Sequence, residues 1–313
     1  MAEKIATRDA YGDTLAELGR LNKDIVVLDA DLSKSTKTEV FAKEFPERFF
    51  NTGIAEQNMA GIAAGLAVAG KIPFISTFAI FATGRAFEQI RNTIAYPRLN
   101  VKIAATHAGI TVGPDGASHQ SVEDIALMRA IPGMTIINPA DATETRFAVK
   151  EALDIDGPVY IRLGRHKVPV IFQEGDYVFK PGKGVVLREG KDATIISTGI
   201  MTAIALEAAD ILKNRGIYVN VVNIHTIKPI DEELIIQLAE ETGAVITAEE
   251  HSIIGGLGSA VAEILAESRP TLMKRIGLKD VFGQSGEPDE LLKFYSLTPD
   301  SIASAVKDLI DKK

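Results

Sequence analysis

Residues 53–58 read Gly-Ile-Ala-Glu-Gln-Asn and place one carboxylate, Glu56, where a strand ends and a helix begins. Gly61, Ala63, Ala64, Gly65, Ala67 and Ala69 keep most faces of that helix free of bulk, so it can pack closely against another backbone or a bound cofactor. The free N–H groups and the macrodipole of the first turn favour an anion there. A lone acid at a helix start is commonplace. The loops around it make this one a candidate for chemistry.

The segment Asp29-Ala-Asp31-Leu-Ser-Lys-Ser35-Thr is a polar run suited to hydrogen-bonding a ligand. Thr77-Phe78-Ala-Ile-Phe81 sets two aromatics three apart at a strand end, where they could sandwich a planar heterocycle or simply join the core. From His107 to His119 a Gly-rich loop brackets Asp115 with two of the chain's five histidines. Glycine lets backbone approach a ligand closely, and histidine is the usual proton carrier near neutral pH. The spacing His-x7-Asp-x3-His lacks the helical register of a zinc helix, so the loop is not read as a metal site. Arg8 and Arg165 add planar forks that suit phosphate. Gly255-Gly-Leu-Gly258 opens a helix and reads as tight strand-to-helix packing rather than an anion site. His225 and His251 read as structural.

The elements that must position these residues alternate regularly. Short β-rich runs at 25–28, 48–51, 72–76, 101–106, 135–137 and 159–162 are separated by helical patterns near 3–19, 55–69, 84–95, 121–129 and 141–154. Proline and glycine then punctuate 166–190 without helical period. The rhythm restarts with strands at 193–197, 219–223, 244–247 and 271–275, and helices near 201–214, 231–241, 257–267 and 299–311. Pro229 precedes the helix at 231, and Asp231 is its expected N-cap. The class is α/β: two doubly wound domains with mainly parallel sheets, at 1–168 and 191–313, joined by a linker at 169–190. Ligands in such sheets bind beyond the C-terminal ends of the strands.

Composition narrows the functions. With 313 residues the chain fits two domains of roughly 150 residues each. A net charge of −8 argues against nucleic acid, because phosphates would be repelled. The chain has no cysteine, which removes disulfides, thiolate zinc sites and cysteine nucleophiles. The N-terminus reads as a mixed-charge helix rather than a signal peptide, and the apolar run at 59–70 is too short to span a bilayer. A cytoplasmic protein with no membrane partner is expected.

In sequence order these motifs resemble the transketolase family, specifically its pyrimidine-binding domain and its C-terminal domain. The resemblance runs the length of the chain. It rests on Gly-Ile-Ala-Glu56-Gln-Asn, Ser76-Thr-Phe78-Ala-Ile-Phe81, His107 through His119-Gln, Leu-Gly-Arg165, His225-Thr-Ile-Lys-Pro-Ile-Asp and Glu249-Glu-His251-Ser-Ile-Ile-Gly-Gly-Leu-Gly. It implies thiamine diphosphate as cofactor, with Glu56 on the aminopyrimidine's ring nitrogen so that the cofactor can lose the proton of its thiazolium carbon. Phe78 and Phe81 would line the pyrimidine pocket, with Asp31 also counted among the cofactor-binding residues. His107 and Asp115 would bind substrate hydroxyls, and His119 would assist proton transfer. Arg8, Ser35, His107 and Arg165 match the positions that hold the acceptor's phosphate. The implied reaction is transfer of a two-carbon ketol unit between sugar phosphates, as in the pentose phosphate pathway.

Two departures from the family pattern stand out. Gly84 occupies a position where the family commonly has an aromatic, leaving the pocket more open or closed by another side chain. The Gly-Asp-Gly motif, with its Asn about thirty residues on, is missing, so this chain carries no evident ligands for the magnesium (or calcium) ion or the diphosphate. A split enzyme follows, in which an N-terminal transketolase subunit supplies that half, as an α2β2 heterotetramer with self-dimerisation of this chain. The competing readings are half of a deoxyxylulose-phosphate synthase, the beta subunit of a 2-oxo acid dehydrogenase, and a catalytically inert regulatory or scaffold paralogue. His107 stands where the synthase has arginine, and the dehydrogenase lacks the Asp115-Gly-Ala-Ser-His119 arrangement.

Overall fold

The computed structural model describes residues 3–175 and 177–313. Met1 and Ala2, at the start of the expected first domain, and Asp176, in the expected linker, lie outside the described residues.

Two sheets organise the chain. The first contains β2 (Ile25–Asp29), β3 (Phe49–Asn51), β4 (Ile72–Phe78), β5 (Lys102–Thr106), β6 (Thr135–Ile137) and β7 (Val159–Arg162), all parallel to their neighbours. Ahead of it, β1 (Lys4–Ala6) pairs antiparallel with β8 (Lys167–Pro169). The second sheet contains β9 (Val185–Arg188), β10 (Ala193–Ser197), β11 (Val219–Asn223), β13 (Ala244–Ser252) and β14 (Leu272–Leu278), in the order β14-β13-β10-β11-β9 with β9 antiparallel. Between them in sequence, β12 (Thr226–Lys228) leaves the second half and pairs antiparallel with β6, which gives the first sheet the order β12-β6-β7-β5-β4-β2-β3.

The period of two along each strand builds cores on both faces. On β4, Ile75 joins Met59, Ala63, Ile90 and Ile94 on one side. Its neighbour Phe74 joins Tyr11, Leu15, Phe41 and Val149 on the other. In the second sheet Ile195 and Val221 face one helical layer, and Ile196 and Val222 face the opposite one. Both sheets are therefore doubly wound, as the alternating pattern requires.

Several local expectations change. Residues 4–6 are strand, and the helix α1 spans Thr7–Leu21, because the β8 ladder captures the first residues. Two short helices, α2 (Ser33–Thr36) and α3 (Glu39–Glu44), fill what reads as loop. The helix carrying Glu56 is α4 (Glu56–Val68). The expected helix at 84–95 is a chain of wide π-type turns, Phe81–Arg85 and Ile90–Ala95, around α5 (Phe87–Gln89). Two first-domain helices follow, α6 (Asp124–Arg129) and α7 (Ala142–Glu151). The second domain holds α8 (Met201–Lys213), α9 (Glu232–Thr242), α10 (Leu257–Ser268), α11 (Pro288–Phe294) and α12 (Pro299–Ile310). Asp231 caps α9 as expected, its side chain accepting the Leu234 N–H. The strand β9 lies inside the stretch read as a linker. No helix among the described residues is long and apolar enough to cross a membrane.

Candidate active site

Because β2 to β7 run parallel, the loops after β2, β4, β5 and β7 emerge at one edge of the sheet, and these four loops hold most of the candidates. After β2, the buried Asp29 accepts from the Leu32 N–H and the Thr36 and Thr38 hydroxyls at 2.6, 2.6 and 2.9 Å. It thereby folds the polar run into α2 and presents Ser35. Asp29 had no signal in the sequence beyond its place at a strand end. Its neighbour Asp31 stands apart from the other candidates, exposed at φ +64°, exchanging hydrogen bonds with the Asn51 amide.

Glu56 begins α4 and is 1% exposed. Met59, Ala60, Ala63 and Ala64 bury one side of this helix in the core, while Gly61 and Gly65 face open space. Arg85 Nη1 donates to both Glu56 oxygens at 2.8 and 2.9 Å, and its guanidinium carbon stands 4.6 Å from the centre of the Phe81 ring. Sequence reading missed Arg85, although it follows the anomalous Gly84 directly. A side chain at Gly84 would meet only Ile80, so that position is open.

Phe78 and Phe81 are near parallel, 5.8 Å between centroids at 12°. A ring inserted between them would need about twice a 3.5 Å contact distance, so the pair does not sandwich a heterocycle. Phe78 is instead the middle of a stack, with His107 on its other face at 3.8 Å and 20°. His119 meets Phe81 edge-on at 5.5 Å. The aromatics form one continuous wall.

His107 holds a left-handed φ of +59° and is 2% exposed, an unusual backbone for a residue with a side chain. Its Nε2 lies 3.1 Å from Arg8 Nη1, and its Nδ1 lies 2.8 Å from Thr106 Oγ1. Arginine only donates, so Nε2 accepts and the proton sits on Nδ1. Burial first, then the charges of Arg8 and Arg165, push the imidazole down to about 3, and it is neutral near pH 7.

Arg8 also donates to the Ser35 carbonyl oxygen at 3.0 Å. Arg165 donates to the Val112 carbonyl at 2.7 Å and pairs with Asp115 at 3.4 Å. Arg8 and Arg165, with His166 and Lys167, line a cleft of about 500 Å³ that is closed on one side by Glu287 and Pro288 of the second domain. Four cationic or ionisable nitrogen groups against a single acid make this cleft suited to an anion. The structure thus brings together Arg8, Ser35, His107, Phe78, Phe81, His119, Asp115 and Arg165, and joins Glu56 to them through Arg85. His225 and His251 are buried away from this cluster, as packing residues. His251 accepts the Ala126 N–H and faces Asp124 and Glu249, and burial holds both histidines at about 4.

A parallel α/β domain presenting a buried helix-start acid beside an aromatic wall, followed by a smaller α/β domain, is the class these features define. Residues 3–170 match the family model described as "Transketolase, pyrimidine binding domain", and residues 182–302 match "Transketolase, C-terminal domain". A chain of Methanocaldococcus jannaschii, named as a transketolase C-terminal section, is 54% identical over 98% of this chain and 96% of its own length. The 6-deoxy-6-sulfo-D-fructose transketolase subunit of Clostridium sp. (strain MSTE9) is 46% identical over 98% of this chain and 95% of its own. A solved structure titled "Split gene transketolase, inactive beta4 tetramer" is 61% identical and superposes with a TM-score of 0.92 over 98% of this chain and 99% of that one. The chain belongs to the transketolase family and carries its pyrimidine-binding and C-terminal domains.

Transketolases use thiamine diphosphate. The residues present suit its pyrimidine end: a buried carboxylate at a helix start, with Phe81 next to it beneath Arg85. For the diphosphate end, no group of three or more His, Cys, Asp or Glu side chains among the described residues is placed to hold a metal.

Proposed function

We propose that this chain is the pyrimidine-binding subunit of a split, thiamine-diphosphate-dependent transketolase that moves a two-carbon ketol unit between sugar phosphates in the cytoplasm. The observation that carries the reading is the pairing, at one sheet edge, of buried Glu56 with the Arg8–Arg165 cleft. The bound cofactor supplies a carbon nucleophile for breaking the bond beside a ketose carbonyl.

Around it, this chain's residues bind and orient. Glu56 would hold the pyrimidine nitrogen once Arg85 withdraws, and Phe78 and Phe81 would offer it a flat apolar wall. His107, neutral and in its Nδ1–H tautomer, turns Nε2 toward Arg8, and a substrate hydroxyl would replace that arginine as the donor. His119 stands at the edge of the same wall, positioned for proton transfer. Arg8 and Arg165 would grip the terminal phosphate, with Ser35 and Asp115 on the rim.

A separate N-terminal subunit would supply the diphosphate and magnesium site, in an α2β2 assembly with this chain also pairing with its own copy. The relative named a 6-deoxy-6-sulfo-D-fructose transketolase subunit favours a second donor class, ketoses ending in a sulfonate, since an arginine pair serves either anion.

Co-expression with a neighbouring chain bearing Gly-Asp-Gly, followed by ketol-transfer assays on phosphorylated, sulfonated and unmodified sugars, tests this reading. Activity of the pair and inactivity of each chain alone is expected. Ketol transfer and micromolar thiamine diphosphate binding by the isolated chain would overturn it.

A further inference from the structure

The loop running from His107 to Gln120 packs against the second domain. Ile110 and Val122, though first-domain residues, are buried in the second core beside Ile195, Val221 and Leu291. Three loop glycines, Gly109, Gly113 and Gly116, hold left-handed φ of +79°, +85° and +77°. Each of them abuts a second-domain atom. A Cβ on Gly109 would fall 2.2 Å from the Glu250 carboxyl carbon, one on Gly116 would fall 2.6 Å from Ser285 Oγ, and one on Gly113 would fall 3.4 Å from the Gly286 oxygen.

Two polar fastenings complete the contact. Glu250, buried on β13, accepts the Thr111 N–H at 2.6 Å. Arg162 Nη2 anchors the backbone of Glu250 by donating to its carbonyl at 3.0 Å. Gln120, adjacent to His119, donates to the Ile110 carbonyl at 3.1 Å and to the second domain's Gln284 carbonyl at 2.9 Å.

We propose that the second domain is the template of the His107–His119 loop, with Glu250 as a positioning residue that fixes both histidines through the Thr111 amide. A loop with three left-handed glycines has many alternative conformers and loses much entropy on ordering. The loop's own hydrogen bonds are short-range turn contacts, such as the Gly113 N–H on the Ile110 carbonyl and the Gly116 N–H on the Gly113 carbonyl, and the groups that seat those turns against the sheet lie outside it. The buried Glu250 side chain supplies a short acceptor bond at the midpoint of the glycine-rich half. The packed Gly113, Gly116 and Gln120 contacts fix the other half. Loose support of this kind displaces a site by more than reaction geometry tolerates. The inference rests on the ketol-transfer reading only for its kinetic consequence.

The test uses Glu250→Ala and Glu250→Gln in the full chain, alone and reconstituted with its partner. In the chain alone, hydrogen exchange of peptides covering 108–120 should accelerate about ten- to a hundredfold in the Ala variant, while β4 and α4 exchange at the parental rate. In the reconstituted enzyme kcat should fall by a similar factor and the donor KM should change by less than about threefold. The Gln variant keeps a carbonyl oxygen for the Thr111 N–H and should recover most of both losses. Unchanged loop exchange in the Ala variant, or equal losses in Ala and Gln, overturns the proposal. Should Glu250→Ala fail to fold, Gln120→Met, which keeps the volume and removes the donors, should speed exchange at 113–120. Parental exchange there also overturns it. Exchange is read without a partner, so failure of the transketolase reading would appear separately, as loop fastening without ketol transfer.

Discussion

Arg85 lies across Glu56: a single guanidinium nitrogen donates to both oxygens of the buried carboxylate, while the guanidinium plane rests on Phe81. The arginine is 46% exposed and the glutamate 1%, so the pair has one solvent-facing and one enclosed member. A ligand that offers its own donor to Glu56 displaces a side chain that water can receive.

This asymmetry predicts opposite effects from the two partners. Arg85→Ala leaves a buried carboxylate with fewer donors and should cost about 1–3 kcal/mol of stability, read by denaturant unfolding. Glu56→Gln in the same background should restore much of that loss, and the cycle should give a coupling of at least about 1 kcal/mol. Additive effects would mean that the contact carries no energy. In the reconstituted enzyme, Glu56→Gln should lower turnover by orders of magnitude, since an amide cannot share the cofactor's proton.

Arg8 and Arg165 should separate kinetically. Arg165 touches the Val112 carbonyl and Asp115, so Arg165→Ala should raise KM for phosphorylated acceptors about ten- to a hundredfold and leave unphosphorylated aldoses nearly unaffected. Lysine in its place should recover only part of the loss. Arg8 donates to His107 as well, so Arg8→Ala should reduce kcat in addition. Equal losses for ribose and ribose phosphate would assign both arginines to the fold.

His107 should stay silent in a histidine NMR titration between pH 5 and 8, because its folded value sits at about 3 against an unfolded value near 6.5. The sign follows from proton counting. Between those values the unfolded chain binds a proton that the folded chain does not, so stability is lost as pH falls from about 6.5 toward 3. His107→Asn should reduce the slope over that range, leaving the part due to His225 and His251, which burial holds at about 4. A His107 resonance titrating near 6.5 in the folded chain would contradict the burial and the Arg8 contact.

Much of the scaffold was legible because it is written locally. The alternation of Phe74 and Ile75 marks a strand buried on both faces, and Pro229 with Asp231 marks a helix start. Glu56, His107 and Arg165 were found because the ends of parallel strands are where side chains gather. What escaped is set by distant partners. The strand at Lys4–Ala6 exists only through its ladder to residues 167–169, and Arg85 gains meaning from a carboxylate 29 residues earlier. Glu250 was read only as part of the Glu249-Glu-His251 motif, since nothing near it in sequence announces Thr111. Of the two readings open for Phe78 and Phe81, the sandwich fails because their near-parallel rings stand only 5.8 Å apart, too close to admit a third.

The short strand β12 has a consequence for any attempt to divide this chain. It crosses from the second half to close the edge of β6, covering backbone groups that would otherwise be unpaired. A fragment ending at residue 170 would contain every strand of the first sheet except this one. Its bare β6 edge would be a template for intermolecular pairing, so such a fragment should aggregate even with its own helices intact.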